Sequence, residues 1–236
     1  MRLKRYQAEH RNGIEGAVLT CVHDLKAPLG NIFKILQLLE LDTGLGDHKQ
    51  VKQSYDLIYK NIHFMNDLVK RLSDYICLEK DTPNCERVDI NNVFQDACDL
   101  LKSQIHDNEA TITCDKLPTL YGDHGQLTQL FQNLMANALH YKADERPIAI
   151  HVSCQTEDKN HVFCVADNGI GIPAKYKNKI FNLFERGEQG ITKAGSGIGL
   201  AICKQVVEQH GGQIWLESKV GQGSKFYFSI PKKRYN

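Results

Sequence analysis

The sequence predicts an α+β protein in which an N-terminal antiparallel helical hairpin, forming a dimeric four-helix bundle, is followed by an α/β sandwich. Three observations lead there. The first third has two segments whose apolar residues keep a heptad spacing. A polar segment that contains Pro83 follows them, and the remainder mixes helical and strand patterns with several strands in succession. With 236 residues, the chain can bury one or two cores.

Two long helices are predicted on either side of residues 41–47, because the glycines and aspartates of LDTGLGD favour a turn. Apolar residues alternate at spacings of four and three, which is typical of supercoiled helices. This apolar seam comprises Val18, Val22, Leu25, Leu29, Ile32, Leu36 and Leu39 in the first helix and Val51, Tyr55, Ile58, Ile62, Met65, Val69, Leu72 and Ile76 in the second. Two helices bury a single seam by pairing with a second copy; the alternative is packing against the rest of the same chain.

The second half of the sequence contains both strand patterns and helix patterns. Strands are predicted within residues 110–118, 148–154 and 161–167, followed by a hairpin of 211–218 and 224–230 around the turn VGQG. Helices are predicted at 91–108, 124–141, 172–184 and 197–210. This mixture favours a sandwich of one sheet and one layer of helices.

Composition excludes several classes of protein. Lys plus Arg number 29 and Asp plus Glu number 28, so the formal net charge of +1 gives no support for a broad basic surface that binds nucleic acid. No run approaches the roughly 20 apolar residues of a membrane helix, so no membrane segment is expected. The eight cysteines form no CxxC pair, and buried free thiols in a reducing compartment are predicted. The ten histidines show no metal-binding spacing.

Two glycine clusters carry chemical signals. DNGIGIP, from Asp167 to Pro173, follows a predicted strand, and a carboxylate beside glycines can approach a flat ligand and accept a hydrogen bond from an exocyclic amine. GSGIGL, from Gly195 to Leu200, opens a predicted helix whose free N–H groups favour phosphate. The alternatives are an ordinary turn for the first cluster and an ordinary loop for the second. The second cluster matches neither a dinucleotide fingerprint nor a P-loop.

The predicted helix 124–141 carries a polar face. Asn133, Asn137 and Tyr141 are four residues apart and lie on one side of it. Amide oxygens can ligate Mg²⁺ that is bound to nucleotide phosphates, and the aromatic ring can cover a base. The alternative is that both amides are capped or face solvent.

His23 directly follows a seam residue, Val22, and is therefore expected at the flank of the bundle. An exposed imidazole is largely neutral at pH 7 and hence nucleophilic, and the adjacent Asp24 can orient it or accept its proton. The alternative is an ordinary surface histidine.

These elements occur in a fixed order: HDLKAPL at 23–29, NLMANALHY at 133–141, DNGIGIP at 167–173, IFNLFER at 180–186 and GSGIGL at 195–200. They resemble the H, N, G1, F and G2 boxes of the sensor histidine kinases of two-component systems. Residues 210–231 are similar to the usual end of the ATP-binding domain in that family. The resemblance covers residues 15–231.

The resemblance implies a role for each matching residue. His23 is the phosphoacceptor and Asp24 its acidic helper; Asn137 ligates Mg²⁺. Asp167 recognises the adenine amino group, and Phe181 and Phe184 belong to a mobile segment ahead of an ATP lid at roughly 186–196. The remaining nucleotide-binding positions are Asn133, His140, Tyr141, Gly169, Gly171, Arg186, Gly195, Gly197, Gly199 and Leu200.

The resemblance also implies the architecture and the reaction. Residues 11–79 would form the dimerisation and histidine-phosphotransfer domain, 80–87 a linker, and 88–234 a Bergerat-type sandwich that binds ATP. The chain would be a homodimer that autophosphorylates from Mg-ATP and passes the phosphoryl group to an aspartate of a response regulator. Its signal would come from an upstream sensory domain or a partner, and it would be cytoplasmic or the cytoplasmic part of a membrane-associated sensor. The alternative is an ATPase or ATP-binding scaffold of the same superfamily without histidine autokinase activity.

Two positions depart from the family pattern. His140 stands where a lysine is common, which predicts weaker or pH-dependent nucleotide binding. Ala27 stands where Thr or Asn is common, so we expect weak phosphatase activity toward the regulator.

Overall fold

The computed structural model describes residues 22, 24–37, 48–80, 82–185 and 197–232. The chain divides into two compact units, and the division falls between Ile76 and Cys77. Each unit is described by itself below.

The first unit consists of two helices in its described part. Helix α1 covers residues 24–37, and α2 runs from His48 to Lys80, so its last residues lie beyond the division. Both helices agree with the heptad pattern, although Val18 and Leu39 lie outside the described residues. Exposed side chains recur along the seam at Val22, Leu29, Leu36, Tyr55, Ile62 and Val69.

The second unit is built on a mixed sheet of five strands in the order β2-β4-β5-β7-β6. Its strands are β2 (Thr111–Cys114), β4 (Ala149–Thr156), β5 (Asn160–Asp167), β6 (Ile214–Lys219) and β7 (Gly223–Pro231). Only the β2–β4 pair is parallel; the other neighbours are antiparallel. The predicted hairpin is therefore present as β6 and β7.

Helices cover one face of this sheet. They are α3 (Ile90–Leu100), α4 (Lys102–Asp107), α5 (His124–His140) and α6 (Gly199–Gln209). Helix α5 contacts α3, α4, α6 and β5. At the centre of the core, Phe131 meets the rings of Phe163 and Phe228 edge-on, and those two rings stack with centroids 4.9 Å apart. Alternate residues of β5 and β7 point into this layer, as the period-two pattern predicts.

Two short strands were not predicted. Strand β1 (Glu86–Asp89) pairs antiparallel with β3 (Thr119–Gly122) in a separate sheet. Residues 86 and 87 belong to the segment expected to be a linker, so part of that segment is strand. Four residues with a single buried apolar position, Val88 in β1, give too little pattern to be recognised.

The helix predicted at 172–184 is wrong. A short 3-10 helix at Ala174–Tyr176 is followed by turns, and the N–H groups of Lys177, Lys179 and Asn182 bond to carbonyls three residues earlier. Lysines at 175 and 179 place like charges four residues apart, which disfavours an α-helix. The segment ends at Phe184, whose φ of 61° is left-handed.

The helix predicted at 91–108 is interrupted once, at the buried Leu101 between α3 and α4.

The seven described cysteines are free thiols. Cys203 is buried, whereas Cys154 and Cys164 are half-buried and Cys77 and Cys114 are exposed. No helix within the described ranges combines the length and the apolarity needed to span a membrane.

Candidate nucleotide-binding site

Asp167 is the last residue of the central strand β5, and the first glycine cluster begins there. Its Oδ1 accepts the N–H of Gly169 at 2.8 Å and the N–H of Ser224 at 3.2 Å. Ser224 is adjacent because the β5–β7 register pairs it with Asp167. Both hydrogen bonds that the described residues make to this carboxylate go to Oδ1. The carboxylate is thus held in a fixed orientation by backbone groups.

Burial raises the pKa of Asp167 above its ordinary value. The hydrogen bonds from Gly169 and Ser224 and the charge of Arg146 act in the opposite direction and lower this pKa, but burial is the larger effect. A half-buried carboxylate with fixed hydrogen bonds is suited to accepting a further hydrogen bond from a donor group of a ligand.

The glycines of the DNGIGIP loop allow close backbone contacts. A Cβ on Gly169 would lie 2.6 Å from Tyr141 O and 2.9 Å from Asp167 Oδ1. Gly171 has a φ of 72°, and a Cβ there would collide with Lys219 O. The loop is also joined to α5, since the N–H of Ile170 donates to Tyr141 O at 3.1 Å. Larger residues at either glycine would push this loop away from α5 or from the β6–β7 turn.

Arg146 joins this loop to the β6–β7 turn. Its Nε donates to Asn168 O at 2.7 Å, and its Nη2 donates to Gly169 O at 3.0 Å and to Gly221 O at 2.8 Å. The Asn168 side chain holds the loop from the other side, because Oδ1 accepts from Ala149 N and Nδ2 donates to Pro147 O. The loop that carries Asp167 is therefore fixed by side chains as well as by the sheet.

Helix α5 brings the asparagines and Tyr141 to the same loop. The Asp123 side chain caps its first turn by accepting the N–H of Gln126, and Tyr141 is its C-terminal cap residue. Asn133 is buried and Asn137 half-buried. The Nδ2 atom of Asn137 is buried and has no hydrogen-bond partner among the described residues. His140 is exposed, and its ring meets that of Tyr141 edge-on at 4.7 Å.

The start of α6 offers backbone N–H groups. Gly199 is its first residue and Leu200 its second, and no side chain caps this end. Gly197 has a φ of 67°, and a Cβ there would lie 2.8 Å from the Cα of Phe184. Cys203 Sγ is 3.9 Å from Leu130 O, so α6 begins alongside α5. An uncapped helix N-terminus preceded by glycines is suited to an anion.

Within the second unit, Asn133, Asn137, Tyr141, Asp167, Gly169 and Gly171 are connected through α5, β5 and the loop between β5 and the 3-10 helix. Of the other predicted site residues, Asp24 is half-buried in α1 of the first unit. His23, Arg186 and Gly195 lie outside the described residues. The whole segment 186–196, which is predicted to form the ATP lid, also lies outside them.

The described residues fit a magnesium nucleotide rather than a metal held by protein alone. Nowhere in the described part of the chain do three or more His, Cys, Asp or Glu side chains cluster as a metal site. Mg²⁺ bound to nucleotide phosphates needs few protein ligands. The buried amide of Asn137, with an atom that lacks a partner, is one polar group that such a ligand would satisfy.

Sequence reasoning missed three supports of Asp167. Arg146 lies outside every motif, and the sequence offers only its positive charge just before a predicted strand as an indication of a role. Asn168 lies within the DNGIGIP motif, but the motif assigns it no role. Ser224 is the second residue of β7, and its Oγ lies 3.0 Å from that of Ser218, which accepts the N–H of Ile172. Only the strand register reveals that Ser224 faces Asp167.

The chain is similar to a known domain family and to known proteins. The family described as histidine kinase-, DNA gyrase B- and HSP90-like ATPase matches residues 122–234. The phytochrome-like protein Cph1 of Synechocystis is 36% identical over 209 residues, which are 89% of this chain and 28% of Cph1. The adaptive-response sensory kinase SasA of Gloeothece citriformis is 28% identical over 242 residues, covering 98% of this chain and 61% of SasA. The chain thus spans only part of the relatives' length.

A solved structure gives the same fold. Histidine kinase ThkA, in a crystal structure with the response regulator protein TrrA, superimposes with a TM-score of 0.76 at 20% identity, covering 99% of this chain and 67% of that one. The matched range 122–234 includes the whole of α5, the loop around Asp167 and α6. Residues 122–234 thus form a domain of the histidine kinase-, DNA gyrase B- and HSP90-like ATPase family, and nearly the whole chain is similar to sensory kinases such as SasA.

Proposed function

We propose that this chain binds Mg-ATP and is a protein-histidine kinase whose phosphoacceptor is His23. The observation that carries the proposal is the Asp167 carboxylate, whose Oδ1 is occupied by two backbone N–H groups. Its other oxygen remains to accept a hydrogen bond from the exocyclic amine of adenine. A fixed, half-buried acceptor of this kind distinguishes adenine from bases that present a carbonyl there.

The other nucleotide contacts follow from the described backbone. Gly169 and Gly171 border the base because they carry no side chain at the loop surface, and Tyr141 lies against it. The N–H groups of Gly199 and Leu200 at the start of α6 hold phosphate oxygens, with Gly197 permitting the turn into the helix. Asn133 lies beside the phosphates. His140 stands where the family commonly has a lysine that contacts the nucleotide. Arg186 and Gly195 would complete the phosphate site.

Asn137 is the residue of this chain that would hold Mg²⁺. When bound, the ion neutralises charge on the triphosphate and so favours phosphoryl transfer. The amide oxygen of Asn137 would be the ligand atom, and its buried, unpartnered Nδ2 would donate to a phosphate oxygen of the same nucleotide.

The proposed reaction is in-line transfer to an imidazole. A lone pair on a neutral His23 nitrogen attacks the γ-phosphorus, an N–P bond forms, and the bond to the β,γ-bridging oxygen breaks, so that ADP leaves. The ring proton made acidic by this step passes to Asp24 or to water. Because little covalent chemistry is asked of the protein, positioning and electrostatics supply most of the rate.

A response regulator is the proposed recipient of the phosphoryl group, through an aspartate of its receiver domain. Support comes from the fold shared with ThkA, which was solved with the response regulator TrrA. We also propose a homodimer, because the seam on α1 and α2 leaves large apolar side chains exposed in a single chain. An upstream sensory domain or partner would supply the signal, and the kinase would act in the cytoplasm.

The test is incubation of the purified chain with γ-labelled ATP and Mg²⁺, in parallel with His23→Gln. We expect label on the protein that is stable in alkali and labile in acid, and that is absent from the variant. As a matched control, His63→Gln changes a histidine in the described part of α2 and should leave labelling intact.

Two outcomes would overturn the proposal. Hydrolysis of ATP without labelled protein would assign the chain to the ATPases of the superfamily. Binding of ATP with neither activity would leave an ATP-binding scaffold.

A further inference from the structure

Arg146 makes three hydrogen bonds to backbone carbonyls beside the proposed base site, and no motif of the sequence includes it. The acceptors are Asn168 and Gly169 in the loop after β5 and Gly221 in the β6–β7 turn, all within 3.0 Å. Planar guanidinium groups can bond several fixed acceptors at once, whereas a lysine ammonium is a point charge on a flexible stem. The site is therefore built for arginine.

One peptide unit connects Arg146 to Asp167. The carbonyl of Asn168 accepts from Arg146 Nε at 2.7 Å, and the N–H of the same peptide, which belongs to Gly169, donates to Asp167 Oδ1 at 2.8 Å. Hydrogen bonds in such a chain polarise one another. The cation and the carboxylate thus hold opposite ends of a single rigid amide plane.

The second connection runs through the β6–β7 turn. Arg146 Nη2 bonds Gly221 O at 2.8 Å, while the N–H of Gly221 donates to Ile170 O at 2.8 Å. This turn leads directly into β7, where the N–H of Ser224 is the second donor to Asp167 Oδ1. Both backbone donors to the carboxylate are therefore tied to segments that Arg146 holds.

We propose that Arg146 is the positioning residue for adenine recognition: it fixes the Asn168–Gly169 peptide and the β6–β7 turn, and thereby aims the Asp167 carboxylate at the base. This proposal rests on the proposed nucleotide site. Arg146 itself touches only protein carbonyls, so its loss weakens discrimination between bases and leaves phosphate binding intact.

The experiment measures the affinities of the full chain for ATP, for ITP, which has a carbonyl in place of the adenine amine, and for tripolyphosphate. The variants are Arg146→Met, which removes the hydrogen bonds and the charge, and Arg146→Lys, which keeps the charge. Arg87→Met is the matched control, because Arg87 is an exposed arginine in the separate β1–β3 sheet. Asp167→Asn tests the base site itself.

We expect the preference for ATP over ITP to fall about tenfold in Arg146→Met and nearly as far in Arg146→Lys, as loss of one charge-assisted hydrogen bond implies. Tripolyphosphate affinity should stay within about twofold of the wild type, a change that corresponds to less than 1 kcal/mol. Arg87→Met should retain the wild-type preference. If Arg146→Met does not fold, Arg146→Lys alone decides, since it preserves charge and length.

The outcomes separate this proposal from the function on which it rests. If the wild type does not prefer ATP, or Asp167→Asn keeps that preference, the base site is wrong and this inference is overturned with it. If Asp167→Asn loses the preference while both Arg146 variants keep it, only the inference is overturned. Equal weakening of ATP, ITP and tripolyphosphate in the Arg146 variants would indicate a general structural role and would also overturn it.

Discussion

The Nε2 atom of His210 accepts a hydrogen bond from the backbone N–H of Asp123 at 3.0 Å, which joins the end of α6 to the start of α5. The other ring nitrogen, Nδ1, lies 2.8 Å from Val206 O and donates to it. Because Nε2 must accept, the imidazole is neutral in this arrangement. Asp123 in turn caps α5 and accepts the N–H of Asn84 at 2.9 Å, and Gln209 Nε2 donates to Leu78 O. The last turn of α2 and the segment that follows it, which belong to the second unit, are thereby held against the end of α6 and the start of α5.

Replacing His210 with alanine should destabilise the second unit by about 1 to 2 kcal/mol, because the half-buried backbone N–H of Asp123 loses its acceptor. Urea unfolding followed by circular dichroism would measure the change. His106→Ala is a suitable control, since the side chain of His106 is 90% exposed and its removal should cost less than about 0.5 kcal/mol. Equal effects of the two substitutions would mean that the Asp123–His210 bond contributes nothing to stability.

The preference for ATP over ITP should fall as the pH is lowered. Burial raises the pKa of Asp167, so this carboxyl takes up a proton at a higher pH than an exposed aspartate, whose pKa is about 3.9. A protonated carboxyl donates rather than accepts, and therefore suits the carbonyl of hypoxanthine better than the amine of adenine. Comparing the two nucleotides at each pH cancels the titration of the triphosphate itself. A preference that stays constant down to pH 4 would contradict the assignment of Asp167.

Asp167→Asn should abolish adenine preference without lowering stability at pH 7. The pKa of this carboxyl is raised in the folded state, so folding becomes less favourable as pH rises from the unfolded pKa through the folded one, and at pH 7 the full cost is present. An amide oxygen can still accept the N–H groups of Gly169 and Ser224. Thermal unfolding at pH 7 should give a melting temperature equal to or above that of the wild type. A clear decrease would show that the charge stabilises the fold.

Gly171 and Gly221 allow steric hindrance to be separated from backbone strain. Both have positive φ, at 72° and 78°, but only Gly171 lies where a Cβ would meet backbone, at Lys219 O. Gly221→Ala should lower the free energy of unfolding by about 1 kcal/mol, from backbone strain alone. Gly171→Ala should lower the free energy of unfolding by at least about 2 kcal/mol more, because the loop after β5 and the β6–β7 turn must separate. The same substitution should also weaken ATP binding. Similar unfolding free energies for the two variants would show that the loop yields readily.

The extent to which sequence predicts this structure depends on local pattern. Helices α5 and α6 and strands β4 to β7 could be predicted because each has its own periodicity or turn. Strand β3 is too short to show one, and the Phe184 turn depends on Gly197, thirteen positions away, whose carbonyl accepts the N–H of Phe184. For the site, motifs identify the residues that face a ligand. They do not identify Arg146, whose role arises only when the β5 loop and the β6–β7 turn are brought together.

Val69→Glu should convert the proposed dimer to a monomer. Val69 is 53% exposed in a single chain although it occupies a seam position. In a four-helix bundle its side chain would be buried, and a carboxylate there would lose its hydration without gaining a partner. Sedimentation equilibrium would measure the mass. Lys70→Glu, one position off the seam on an exposed residue, should remain dimeric. A monomeric wild type would refute the dimer, and a dimeric Val69→Glu would place the interface elsewhere.

Asn137 and Asn91 should respond oppositely to truncation. The Asn91 amide bonds Asp89 Oδ1 and Leu117 O and accepts the N–H of Leu117, so Asn91→Ala should cost about 2 kcal/mol of unfolding free energy. Asn137 Nδ2 is buried without a partner, so Asn137→Ala removes a polar atom that folding leaves unsatisfied and should be neutral or stabilising. Its cost should appear instead in function, as loss of Mg²⁺-dependent ATP affinity by about tenfold or more, while the Mg²⁺-independent affinity persists. Isothermal titration of each variant with ATP, in Mg²⁺ and in EDTA, measures this directly. If Asn137→Ala unfolds more easily than the wild type and binds Mg-ATP normally, Asn137 is a structural residue and the magnesium ligand must be sought elsewhere in the chain.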